Sequence, residues 1–332
     1  MRLVCPAVST AFINAAATFA SRRHTFPSWS NSICTRMASI NDDSSNQETQ
    51  FNHMELKNWE QGYEAYDQGF GPLTRQTIPT LLESAYFPPV TASEDRAEVR
   101  LLDVATGPGF VLSAAIDSVS TNERQQQQTY HLTGLDITQN FLSLAKQRID
   151  TQLNHGLQMN VDFVKGSAES LPFPDNTFDS ITCNFGILHF FKPKVFLHES
   201  FRCLRPGGKV SFSCWAPPTR TEGFQIALQS IAEVGNPNVD GLPEGPNFFD
   251  FGDSEQAMSV LKEVGFEDTK FIELSEMKWN NVKNGAMLYD VLLQGTSRSR
   301  EILLGQTAEE TVAIRSLMDQ KYDTILSVAR GL

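Results

Sequence analysis

An apolar run that breaks into a glycine turn, residues 101–109 (LLDVATGPG), constrains this chain more than any other stretch. Val99, Leu101, Leu102 and Val104 make a run of strand length, and Thr106, Gly107, Pro108 and Gly109 interrupt it. A helical pattern follows at once through Phe110, Val111, Leu112, Ala115, Ile116 and Val119. Strand, glycine turn and helix together open a nucleotide-binding α/β unit. Gly107 and Gly109 let a ligand approach backbone that a side chain would shield.

About 33 residues downstream, YHLTGLD ends a second apolar run on Asp136. An acid at the tip of the second strand is placed to accept the hydroxyls of a ribose. Hydrogen bonds to a charged acceptor contribute roughly 1.5–3 kcal/mol each, enough to matter for affinity. The same carboxylate could instead cap the helix that begins at Thr138. The interval exceeds the ~20 residues of a compact dinucleotide unit. Residues 122–128, with four consecutive glutamines, read as a surface insertion that accounts for most of the excess.

The alternation continues. Residues 161–165 form a third strand, 180–189 a fourth, 195–204 a helix stopped by Arg205-Pro206-Gly207-Gly208, and 209–215 a fifth strand. Strands alternating with helices at this interval predict an α/β fold, a doubly wound, mainly parallel sheet with helices on both faces.

In this order, strand–DVATGPG, strand–GLD, GSAESLPFPDNTFD and LRPGGKVSF resemble the class I S-adenosylmethionine-dependent methyltransferases. The subgroup most similar in pattern contains the ubiquinone/menaquinone-biosynthesis and many small-molecule enzymes. The resemblance covers residues 97–216, and the ordered set is far more specific than any one motif. It implies a Rossmann-like methyltransferase fold with an N-terminal helical lid and C-terminal helical additions. It further implies S-adenosyl-L-methionine as cofactor, held by Tyr66, Asp103, Ala105, Thr106, Gly107, Gly109, Asp136, Ile137, Ser167, Ala168 and Asn184. The activity implied is methyl transfer to the oxygen, carbon or nitrogen of a small organic acceptor.

Three positions depart from the family pattern. Ala105 replaces the first glycine of the turn. Ser167 stands where many members carry an aspartate that hydrogen-bonds the adenine amine. The C-terminus is short: family members usually end in an antiparallel strand pair, for which 269–276 supplies one strand and only 325–329 remains for the other.

Two rival classes share some of these features. A nicotinamide oxidoreductase would need a third glycine where Leu112 stands, and has no counterpart of LPFPDNTFD. A binding protein that kept the fold and lost catalysis is suggested by Ser167 and the short C-terminus. The retained Asp136, Gly107 and Gly109 argue against it.

The chain divides into four parts: 1–50 as extension and linker, 51–96 as a helical cap, 97–216 as the cofactor core, and 217–332 as substrate lid, last strands and C-terminal helices. Residues 1–41 hold no Asp or Glu and four arginines, the composition of a mitochondrial transit peptide. The other reading of that segment is a disordered extension before Met37, which places the protein in the cytoplasm. Pro6 and Asn14 break the apolar stretch at 3–20, so no membrane span is expected. A formal charge of −12 argues against an electrostatic grip on nucleic acid. Five cysteines without a CxxC pair give no metal site.

Trp59, Tyr63, Tyr66 and Phe70 recur at i, i+4, i+7 and i+11, either a lid over a cation or a core-packing stripe. His189, just past the fourth strand, is the candidate general base, with helix capping or packing as its other role. Asn184 is placed to orient substrate or methionine. Asp103 either organises the glycine loop or meets the methionine ammonium. The Pro-, Gly- and Asn-rich segment 217–251 is placed to build an acceptor pocket.

Overall fold

The computed structural model describes residues 7–16, 41–89, 98–121, 128–153 and 158–329. Five strands run parallel: β2 (Glu98–Val104), β3 (Thr129–Asp136), β4 (Met159–Lys165), β5 (Phe178–Asn184) and β6 (Leu204–Trp215). With β1 (Ala7–Ala16) and β7 (Glu267–Lys278) they make one seven-stranded sheet in the order β4-β3-β2-β5-β6-β1-β7. The chain winds outward from β2 to β4, then returns to β2's other side for β5 and β6. Right-handed crossovers put the connecting helices of the two halves on opposite faces. Accordingly α4 (Phe110–Ser120) and α5 (Gln139–Gln152) pack together over β3, while α6 (Pro193–Cys203) and α8 (Ser254–Val264) pack together beside β6 and β7.

Both faces are therefore covered, which is why β2 is a continuous apolar run rather than an alternating one. Leu101 joins the core cluster on one face, with Val111, Leu112 and Leu132. Its neighbour Leu102 joins the cluster on the other, with Ile181, Phe196 and Phe212.

The sheet's far side differs from the expectation for residues 1–50. Residues 7–16 form β1, which pairs antiparallel with both β6 (Thr10↔Trp215 to Ala16↔Lys209) and β7 (Ala7↔Lys278 to Ala16↔Glu267). Ile13 is 0% exposed within the core. Val8, Thr10, Phe12 and Ile13 have strand propensity, but their Ser- and Ala-rich setting matches a leader in composition, and strand pairing is non-local. The partner of β7 accordingly comes from the N-terminal side. Residues 325–329, expected as the closing strand, lie in helix α11 (Ala308–Ala329).

The linker reading also changes, because residues 41–50 open the long helix α1 (Asn41–Gly69). Helices α2 (Gly71–Thr74) and α3 (Ile78–Ser84) follow. The opposite flank is α7 (Glu222–Val234), α9 (Gly285–Gly295) and α10 (Arg298–Leu304), with α11 packed on α7 and α9. Helix α9 packs on α1, so the N- and C-terminal helices form one cap above the strand ends. Residues 1–6, 17–40 and the glutamine-rich stretch 122–127 lie outside the described residues.

Candidate active site

The strand order reverses between β2 and β5, and an open α/β sheet leaves a crevice beyond the carboxyl ends of the strands at such a point. A cavity of about 610 Å³ lies there, walled by the turns after β2, β3, β4 and β5 and roofed by α1, α7 and α10. Of the eleven residues expected to bind cofactor, ten line it: Tyr66, Asp103, Ala105, Thr106, Gly107, Asp136, Ile137, Ser167, Ala168 and Asn184. Gly109 is not among the lining residues. Its φ is +78°, and a Cβ there would lie 2.9 Å from that of Ala145, so it serves the contact between α4 and α5.

The glycine turn is held from below. Asp103 is 1% exposed; Thr106 Oγ1 donates to its Oδ2 at 2.7 Å and Thr182 Oγ1 to its Oδ1 at 2.8 Å. Burial pushes its carboxyl up to about 7, and the nearby Asp136 adds to the rise. Each oxygen accepts from one protein hydroxyl, which anchors Asp103 beneath the glycine loop. Ala105 sits at φ +53°, left-handed backbone that costs an alanine roughly 1–2 kcal/mol and suits the family's glycine. Gly107 is also left-handed at +51°, and a Cβ on it would meet no atom nearer than Ala105 O at 4.0 Å. Its α-carbon therefore faces open space within the cavity wall.

Asp136 accepts from Gly107 N at 2.9 Å through Oδ2, and from Thr138 N and Oγ1, each at 2.9 Å, through Oδ1. Asp136 thus ties the glycine turn to Thr138, the residue before α5, without itself capping the helix. The Ile137 N–H also faces this carboxyl, so backbone and hydroxyl donors surround it. Burial raises this carboxyl too, against the opposing hydrogen bonds. Beside it, Ile137 is 39% exposed and lines the cavity, a flat apolar wall at the edge of a polar niche. Ser167 Oγ accepts from Glu169 N at 3.1 Å, leaving its hydroxyl proton free to donate.

Asn184 is more committed than expected. Its Oδ1 accepts from Thr77 Oγ1 and Ser213 Oγ, both at 2.7 Å, and its Nδ2 donates to Thr74 O at 3.2 Å. It ties β5 and β6 to the cap and retains one N–H.

The aromatic stripe divides between its two readings. Trp59, Tyr66 and Phe70 line the cavity, whereas Tyr63 packs edge-on against Phe141 with ring centroids 6.4 Å apart. Tyr66 is wedged among Trp59, Phe70 and Phe141, and burial raises its phenol to about 12. The expected acceptor segment contributes Phe224, Leu228 and residues 245–249. His189 also lines the cavity, edge-on to Trp59 at 4.9 Å and Phe248 at 5.8 Å.

Sequence reasoning missed Glu55, Phe141 and Arg298, all of which line the same cavity. The available signal for Glu55 was its place four residues after Phe51 and four before Trp59, an acid inside an apolar helical stripe. Its partner, His189, is 134 residues away.

Residues 102–212 match the methyltransferase-domain family. The ubiquinone/menaquinone biosynthesis C-methyltransferase UbiE of Roseobacter denitrificans is 30% identical over 188 residues, covering 54% of this chain and 71% of that protein. The chain belongs to the class I S-adenosylmethionine-dependent methyltransferases. A demethylmenaquinone methyltransferase of Renibacterium salmoninarum is 27% identical to this methyltransferase over 184 residues, 53% of this chain and 70% of the other. Among solved structures, Haemonchus contortus phosphoethanolamine N-methyltransferase 2, bound to phosphomonomethylethanolamine and S-adenosylhomocysteine, gives a TM-score of 0.46 at 18% identity, over 84% of this chain and 57% of that one.

The methyltransferase's own donor set fits the cofactor. Asp136 is a buried acid at the tip of the second core strand, Gly107 leaves a cradle that a side chain would fill, and Ile137 offers an apolar face. Among the described residues no cluster of three or more His, Cys, Asp or Glu is arranged to hold a metal ion. Among them, too, no helix is long and apolar enough to cross a membrane.

Proposed function

We propose that the enzyme methylates a small organic acceptor, on oxygen, carbon or nitrogen, held under the aromatic cap with His189 as its proton acceptor. The observation that carries this reading is the continuity of one cavity from Asp136 and the glycine turn to His189, Phe224 and Phe248. The cofactor supplies an electrophilic methyl group on a cationic sulfur that departs neutral. The chain's residues have correspondingly little chemistry to perform. Asp136 and the turn fix the cofactor's position. Trp59, Tyr66 and Phe70 exclude water and offer ring faces to positive charge. His189 removes a proton from a hydroxyl or acidic carbon as it becomes the nucleophile.

An acceptor without strong charge suits a lining that is mainly aromatic. The name of the Roseobacter relative specifies C-methylation, which keeps carbon among the candidate atoms. A chain of net charge −12 is a poor match for free nucleic acid. Cytoplasmic location is favoured over import followed by removal of a leader, because a cut near residue 36 would take β1 out of the sheet.

Calorimetric titration of S-adenosylmethionine into the full chain tests the cofactor end. Asp136→Ala should weaken binding about 100-fold, the equivalent of one or two charged hydrogen bonds. Labelled-methyl transfer to menadiol, catechol and phenethylamine tests the acceptor end. Equal affinity in wild type and Asp136→Ala would remove the assigned role of that carboxylate. Tight binding with no transfer to any of the three would reject the acceptor class.

A further inference from the structure

His189 is not a free-standing imidazole. Its Nδ1 lies 3.1 Å from Glu55 Oε2, across the gap between the short helical turn after β5 and the lid helix α1. The same carboxylate oxygen accepts from Trp59 Nε1 at 2.8 Å. Glu55 is 6% exposed, so this pair is formed away from bulk water. A carboxylate can only accept, and the ring must therefore carry its proton on Nδ1 to make the bond. In the neutral ring that leaves the lone pair on Nε2. No partner for Nε2 is found among the described residues, and the ring lines the cavity.

We propose that Glu55 is a positioning residue for the methyl-transfer step: it fixes His189 in the Nδ1–H tautomer, turns Nε2 toward the acceptor, and stabilises the imidazolium that forms. This rests on the reading of His189 as proton acceptor. The step balances simply. The acceptor's O–H, N–H or acidic C–H bond breaks and its proton goes to Nε2. The electron pair left on the acceptor forms the new bond to the methyl carbon, and the pair of the broken C–S bond stays on sulfur. The positive charge that was on sulfur ends on the His189 ring, next to the Glu55 carboxylate.

The pair also joins the lid to the sheet chemically. Glu55 belongs to α1, while His189 follows β5, so the base is correctly oriented only with the lid seated. Trp59 contributes twice, donating its indole N–H to Glu55 and packing its ring edge-on against His189 at 4.9 Å. Phe248 closes a further side of the imidazole at 5.8 Å.

The test uses the full chain labelled with ¹⁵N-histidine, His189 being assigned by its loss in His189→Gln. Long-range ¹H–¹⁵N spectra of the wild type at pH 8 should show the Nδ1–H tautomer. Glu55→Gln should shift the ring toward the Nε2–H form or a mixture, whereas Trp59→Phe, which leaves the carboxylate in place, should retain it. With menadiol as acceptor, Glu55→Gln should lower kcat by roughly tenfold or more with KM changed less than about twofold, and Glu55→Asp should recover part of the loss. An Nε2–H ring in the wild type, a tautomer unchanged in Glu55→Gln, or a loss confined to KM would overturn the proposal. Where wild type leaves menadiol unmethylated, the tautomer alone decides. Titration with S-adenosylmethionine separates the two readings: Glu55→Gln should bind it as wild type does, and failure of the wild type to bind it would count against the proposed function instead.

Discussion

Asp103 and Asp136 place two buried carboxyl groups in one wall of the site, and desolvation pushes both upward. The consequence for stability has a definite sign. Asp103 titrates near 7 when folded and near 3.8 in its ordinary state, so the folded chain holds this proton more tightly than the unfolded chain. Its contribution is complete below pH ~4 and is lost as pH rises through about 7. Melting of the cofactor-free protein between pH 4.5 and 8 should show the wild-type Tm falling relative to Asp103→Asn. A wild-type curve that rises against the variant would contradict the assignment. At this scale much was legible from sequence, because the turn and the acid after β3 follow from local spacing. Asn184 and Glu55 were less so. Asn184 is held by Thr74, Thr77 and Ser213, and Glu55 gains its meaning from His189, in each case through partners that meet only after the chain folds.

Elements of the core were the most readable part, since strands buried on both faces and helices of one apolar stripe declare themselves over seven to fourteen residues. Helix α8 carries local signals at both ends: Asp253 caps it and Gly265 takes φ +109° at its end. The turn Arg205-Pro206-Gly207-Gly208 reads as a helix stop, and α6 does end at Cys203; β6, expected from Lys209, already starts at Leu204. Arg205 explains this locally, because its guanidinium grips the Asp179 carboxylate at 2.9 and 3.1 Å and pulls the start of β6 onto β5. Packing between α4 and α5 depends on Gly109. Gly109→Ala would add left-handed strain and a Cβ that meets Ala145, costing about 2–4 kcal/mol in urea unfolding. Ala145→Gly in the same chain should recover the steric share but not the backbone share. Full recovery would mean that φ at residue 109 is not constrained.

For the molecule as a whole, the informative miss is the edge of the sheet. Local composition could not show that 7–16 lies between β6 and β7, because nothing in a ten-residue segment encodes partners about 200 and about 260 residues away. A chain starting at Met37 should lose two ladders of hydrogen bonds and uncover β6 and β7. We expect it to aggregate or to melt at least 10 °C lower than the full chain, each kcal/mol being worth about 2–4 °C in a protein of this class. Ile13→Ala is the milder version, expected to cost about 2–4 kcal/mol by denaturant titration. An unchanged Tm in both would remove β1 from the fold. The arrangement also sets a timetable for synthesis. Strand β1 is made before either of its partners, β6 and β7, so the nascent chain carries it unpaired until both have emerged. During that interval the strand is open to chaperones, import receptors or proteases. Completion of the sheet is the event that withdraws it from all of them.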